Sequence, residues 1–187
     1  MTWNELSDRC RLYIDADEGM LIALLKEAEL EMTRKANIWE RDVAYVANGT
    51  NIYGLPSDFK APIHIMHDGD KLIPILEDSV NYDSDGSFQT GTPLGYFVRN
   101  NNLMLDYKVA SGTIRMSYYA VVETDATEPQ VPSMYHRDLC DYAIALASAK
   151  AKPELHDKHM QFWMMKLEQI KNEDADRELV HYIKEDI

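Results

Sequence analysis

Cations are scarce in this chain. Its 187 residues hold 19 Lys and Arg against 32 Asp and Glu, a formal net charge of −13. The deficit is spread, at −4 over residues 1–40, −3 over 41–122, −2 over 123–153 and −4 over 154–187. Phosphate binding needs clustered Lys and Arg, so tight wrapping of nucleic acid is not expected. Two readings of the acidity stay open: a wall that DNA slides past without sticking, or a surface that keeps the protein soluble.

Long apolar runs are missing too. No stretch approaches the roughly 18 apolar residues of a membrane span, and the start lacks a basic-then-apolar signal pattern. The expectation is a protein that stays where it is synthesised. There are only two cysteines, Cys10 and Cys140, without metal-type spacing and in helical patterns, so both are read as buried reduced thiols. Gly-x-Ser-x-Gly, a phosphate-cradling Gly-rich loop and Cys-x-x-Cys are absent, which argues against an enzyme.

What is present is a central run of short β-type segments, 43–47, 63–67, 71–76, 95–98, 103–107 and 113–122, punctuated by Gly, Pro, Asn and Asp. Asn48-Gly49, Asp68-Gly69, Asn100-Asn101 and Ser111-Gly112 read as turns, Asn-Gly carrying the strongest hairpin signal. Residues 77–92 are polar and read as a long surface loop.

On both sides the period becomes helical. Thr2 with Glu5 forms a capping-box pattern for a helix bearing Trp3, Leu6, Cys10, Tyr13 and Ile14. Asp15 with Glu18 repeats it for a helix with Leu21, Leu24, Leu25, Ala28 and Met32, and a polar face that includes Glu29. Ser133 is expected to cap a third, Ala-rich helix. Pro153 fits the first turn of a fourth, running to about Asp176. That helix places Met160, Trp163, Met164 and Leu167 on one side and Phe162, Met165 and Ile170 elsewhere, an apolar surface wider than one stripe. Beyond it, Leu179, Val180, Tyr182 and Ile183 interrupt a charged end, as a docking segment or as the last turns of the fourth helix.

Several side chains have catalytic or ligating chemistry without a complete constellation around them. His156, Asp157 and His159 could share a metal, but a third strong ligand is not evident. Asp83-Ser84-Asp85-Gly86 lacks the closing bidentate Glu of a calcium loop. His64 and His67 fall on opposite strand faces. Cys140 with His136 lacks an orienting third group. The expectation is no catalytic residue, no metal and no cofactor.

Three features together resemble the head-to-tail adaptor (neck) proteins of tailed bacteriophages. The first is the capped N-terminal helix pair ending near Trp39. The second is the series Tyr53-Gly54-Leu55-Pro56-Ser57-Asp58-Phe59, Gly91-Thr92-Pro93-Leu94-Gly95-Tyr96-Phe97-Val98, Leu103-Met104-Leu105-Asp106 and Gly112-Thr113-Ile114-Arg115-Met116-Ser117-Tyr118-Tyr119. The third is Val131-Pro132 before a Tyr-containing, Ala-rich helix and a long final helix. The turn before Tyr118-Tyr119 lacks the proline common in the family.

The resemblance implies a virion protein that forms a ring, a dodecamer, under the portal protein. It would extend the DNA channel without sequence-specific binding and carry tail or nozzle proteins. Leu179, Val180, Tyr182 and Ile183 are the candidates for portal contact, and Asp83, Asp85 and Phe88 for contact on the tail side. The expected fold is α+β: a bundle of about four helices, two N-terminal and two C-terminal, with an inserted small antiparallel β module. Its parts are 1–41 (helical hairpin), 42–123 (β module), 124–177 (second helical pair) and 178–187 (docking tail). The alternatives are another ring-forming tail-completion or terminator protein, and a small metal-dependent enzyme using His156, Asp157 and His159.

Overall fold

The computed structural model describes residues 1–80, 82 and 87–185, except for the side chains of residues 79 and 174–185. The chain divides into a helical unit, Met1–Trp39 with Ala120–Ile187, and a sheet unit, Glu40–Tyr119.

The helical unit contains α1 (Trp3–Arg11), α2 (Glu18–Lys35), α3 (His136–Ser148) and α4 (Pro153–Glu185). The capping box at α1 forms as read: Glu5 N–H donates to Thr2 Oγ1 at 3.3 Å, and Thr2 N–H donates to Glu5 Oε2 at 2.7 Å. At α2 the cap is Asp17 rather than Asp15, because its carboxylate sits within 3.0 Å of Met20 N–H. At α3 a short 3-10 turn, Ser133–Tyr135, takes the place of a Ser133 cap. The helix α4 continues to Glu185, so the backbone of 179–183 forms its last turns.

The core of this unit joins Leu6, Cys10, Leu21, Leu25, Ala28 and Met32 to Leu139, Ala143 and Ile144 and to Trp163, Leu167 and Ile170. Positions 160, 163, 167 and 170 alternate steps of three and four residues, the narrow seam of a helix packed against one neighbour. Ile170 is therefore buried and Met164 exposed, the reverse of the expected split.

The expected helical bundle with a small antiparallel module does not describe this chain. In addition to four helices, the described residues form a seven-stranded mixed sheet, curled into a nearly closed barrel, in the order β1-β7-β3-β4-β5-β6-β2. The strands are β1 (Glu40–Val46), β2 (Thr50–Gly54), β3 (Phe59–His67), β4 (Asp70–Pro74), β5 (Gly95–Arg99), β6 (Asn102–Val109) and β7 (Thr113–Ala120).

Two features account for the departure. The first is the Asn48-Gly49 bend, which does not close a hairpin. β1 pairs with β7 and β2 with β6, and Val46↔Thr113 and Thr50↔Val109 keep one register, four residues apart on each strand. Residues 40–54 and 102–119 thus form one long antiparallel ribbon, folded at a shared corner. There Ala47 N–H donates to Gly112 C=O at 2.9 Å and Gly49 N–H to Val109 C=O at 2.9 Å. Gly112 has φ +111°, and a Cβ there would run into His67 and Asp68 side chains, so the corner needs glycine. The second feature is the stretch between Pro74 and Gly95, long enough to return the chain so that β5 lies parallel to β4.

Two of the tight turns form as read. Asp68-Gly69 and Asn100-Asn101 both take positive φ at their two central residues, as two-residue hairpins favour. Along β7 the pattern alternates cleanly, Ile114, Met116 and Tyr118 pointing into the sheet unit's core.

Candidate interaction surfaces

In the sheet unit, the Leu-Pro-Ser-Asp-Phe stretch makes a bend in which Phe59 N–H reaches Pro56 C=O at 3.1 Å. The bend drives Asp58 inward, where it accepts from Arg41 of β1 at 2.5 Å and from the Tyr118 hydroxyl of β7 at 3.0 Å. Burial and the Asp58 carboxylate push the Tyr118 hydroxyl up to about 12. This motif is a structural clasp. Nearby, Ser117 Oγ donates to Asp42 and lies 3.1 Å from His64 Nε2. A hydrolytic serine gives its proton to histidine while the carboxylate orients that histidine. Here the serine proton goes to the carboxylate, so the trio does not activate a nucleophile.

The segment read as a surface loop is partly tied down. Lys108 N–H donates to Gln89 C=O at 2.8 Å, and Gly91 N–H donates to Lys108 C=O at 3.1 Å. Phe88 meets Tyr82 edge to face, ring centres 4.9 Å apart. Asp83 and Asp85 lie outside the described residues.

In the helical unit, Glu29 was read as part of a solvated face and is instead buried. Its carboxylate accepts from Gln130 N–H at 2.5 Å and Val131 N–H at 2.8 Å. Burial raises its pKa above the ordinary 4.5, against the pull of those two bonds. With Thr33 Oγ1, which accepts from Val122 N–H at 3.3 Å, it fastens the returning chain onto α2. The sequence signal for this was weak: Glu29 lies one residue from the Ala28 stripe.

The histidines also find structural partners. His156 Nδ1 sits 2.8 Å from Ala145 C=O, and His159 Nδ1 2.7 Å from Asp141 Oδ1. His136 Nε2 sits 3.2 Å from Val131 C=O rather than on Cys140, and burial lowers its pKa. Among the described residues no three His, Cys, Asp or Glu side chains gather to hold a metal. Among them, too, no helix is long and apolar enough to cross a membrane.

What this unit offers a partner is apolar surface. Helix α1 stops at Arg11, leaving Leu12 81% and Tyr13 55% exposed. Tyr13 borders a cavity of about 580 Å³ that is also lined by Lys152, Pro153, Leu155 and Lys158. On α4, Phe162, Met164 and Met165 are exposed. The side chains of Leu179, Val180, Tyr182 and Ile183 lie outside the described residues. The sheet unit in turn exposes Val46, Ile73, Leu76 and Leu94.

Exposed apolar side chains at the end of α1, on α4 and in the sheet unit are the surfaces a partner could cover. The family comparison agrees: the model of the SU10 adaptor protein family matches residues 1–181, and the chain belongs to that family of phage head-tail adaptors. No curated protein matches the sequence.

Proposed function

We propose that this chain is the head-to-tail adaptor of a tailed phage virion. In this reading it assembles as a ring, a dodecamer, under the portal protein, and prolongs the channel through which DNA leaves. The observation that carries the reading is the family match over residues 1–181. Exposed apolar side chains on α4 and at the end of α1 support it, since each subunit of a ring meets two neighbours through unlike surfaces. The dispersed net charge of −13 suits a lining that repels the phosphate backbone.

Leu179, Val180, Tyr182 and Ile183 are the proposed portal contacts, at the far end of a 33-residue helix. Asp83, Asp85 and Phe88 are the proposed contacts toward tail or nozzle proteins. Removing residues 177–187 tests the first assignment. The truncated chain should keep its thermal unfolding profile and lose portal binding in a pull-down. Full binding by the truncated chain would remove the helix end from the interface.

A further inference from the structure

We propose that the open cavity between the end of α1 and the start of α4 is a docking site for an acidic segment of a partner protein, one that carries a large apolar side chain among its carboxylates. The cavity measures about 580 Å³, within the ~300–1,000 Å³ of ordinary ligand pockets. Tyr13, Pro153 and Leu155 give it apolar wall, and Lys152 and Lys158 give it two cations against one acid, Glu154.

Charge selects the sign of the partner. The chain is short of cations, at a net charge of −13, yet two of its lysines border this one cavity. Among the described residues neither is ion-paired: Lys152 is exposed, and Lys158 lies over the Phe162 ring, 5.9 Å from its centre. Both ammonium groups are therefore available to carboxylates. A nucleic-acid strand fits worse, because two cations beside an acid fall short of the clustered Lys and Arg that a phosphate backbone needs.

Apolar surface selects the rest. Leu12 and Tyr13 are 81% and 55% exposed. A string of charges alone would leave Tyr13, Pro153 and Leu155 in water, so the occupant needs an apolar anchor to cover them. That wall is fixed before any partner arrives. Tyr13 N–H donates to Cys10 C=O at 3.0 Å, and the Tyr13 ring meets His159 edge to face, ring centres 5.7 Å apart. His159 Nδ1 in turn lies 2.7 Å from Asp141 Oδ1 on α3. Lys152 N–H donates to Ser148 C=O at 2.8 Å, which ties down the turn between α3 and α4. Little order is left for binding to impose, so the contacts go into affinity.

The test uses the full chain and a fluorescein-labelled peptide of Asp and Glu around a central Leu-Phe pair, followed by fluorescence anisotropy at low salt. The peptide should bind at one site, and more weakly as salt rises. Lys152→Glu combined with Lys158→Glu should weaken binding about tenfold or more. Tyr13→Ala, or a peptide with Ser-Ser in place of Leu-Phe, should do the same. The substituted side chains are exposed, so each variant should keep the wild-type Tm. Leu94→Ser, in the sheet unit, should bind as wild type does. Equal binding by the charge-reversed chain, equal binding of the Ser-Ser peptide, or no binding at about 1 mM chain would overturn the proposal. So would displacement of the peptide by duplex DNA, or a second copy of the chain in the cavity, seen as dimers that the charge reversal splits. The readout needs neither portal nor ring, so it stands or falls separately from the adaptor reading.

Discussion

The two units hold themselves together in different ways. The helical unit depends on one apolar core shared by α1, α2, α3 and α4, and Glu29, the buried carboxylate among its described residues, fastens a returning segment. The sheet unit depends on a ribbon folded at a glycine corner, with Asp58 tying β1 to β7. Damage to the first should follow lost apolar volume. Damage to the second should follow backbone conformation and polar ties. Substitutions in each unit test that contrast.

The largest effect is expected in the helical seam. Trp163→Ala should cost about 3–5 kcal/mol in urea unfolding, while the adjacent Met164→Ala stays within about 0.5 kcal/mol. Equal losses at the two positions would mean the seam is misplaced. In the sheet unit, Asp58→Ala should cost about 2 kcal/mol, since the buried Tyr118 hydroxyl loses its acceptor and the Arg41–Asp58 ion pair is removed. Tyr118→Phe should cost about 1 kcal/mol, because the carboxylate keeps Arg41. At the corner, Gly112→Ala should cost about 1–2 kcal/mol from the left-handed backbone conformation, the crowding of His67 and Asp68 adding to it.

The smallest effect is one of pH. Because burial raises the Glu29 pKa, the folded state favours the protonated form. This group's contribution is greatest below its ordinary value of 4.5 and is lost as pH rises through the raised value. Glu29→Gln keeps an oxygen for Gln130 and Val131 N–H and carries no charge. The stability of wild type minus variant should therefore drift against the wild type from acidic to neutral pH. A flat difference would mean that Glu29 does not titrate abnormally.

The helices could be read from the chain because each carries its own cap and stripe: Thr2 with Glu5, Leu21 to Met32, Pro153 at the first turn of α4. Their faces were less legible. Trp163, Met164 and Phe162 are all large and apolar, and only the packing of α3 shows which of them turns inward. The sheet was harder, for a physical reason. Asp68-Gly69 and Asn100-Asn101 fix local hairpins, whereas Asn48-Gly49 makes a corner whose strands pair with partners some sixty residues away. Local turn chemistry cannot distinguish a hairpin from a corner. Nor did any residue of β4 or β5 announce a parallel pair. In the candidate surfaces, Phe162 and Met165 were legible as surplus apolar side chains. Leu12 and Tyr13 were not, because helical spacing carried Tyr13 into the stripe while α1 ends at Arg11.

The adaptor reading is tested most directly by native mass spectrometry of this chain mixed with the portal protein of the same phage. The account predicts that chains load onto the portal ring in a number matching its subunits, and that removal of residues 177–187 abolishes loading. A chain that leaves the portal bare while forming rings with tail components would contradict it, and would make the protein a different part of the virion.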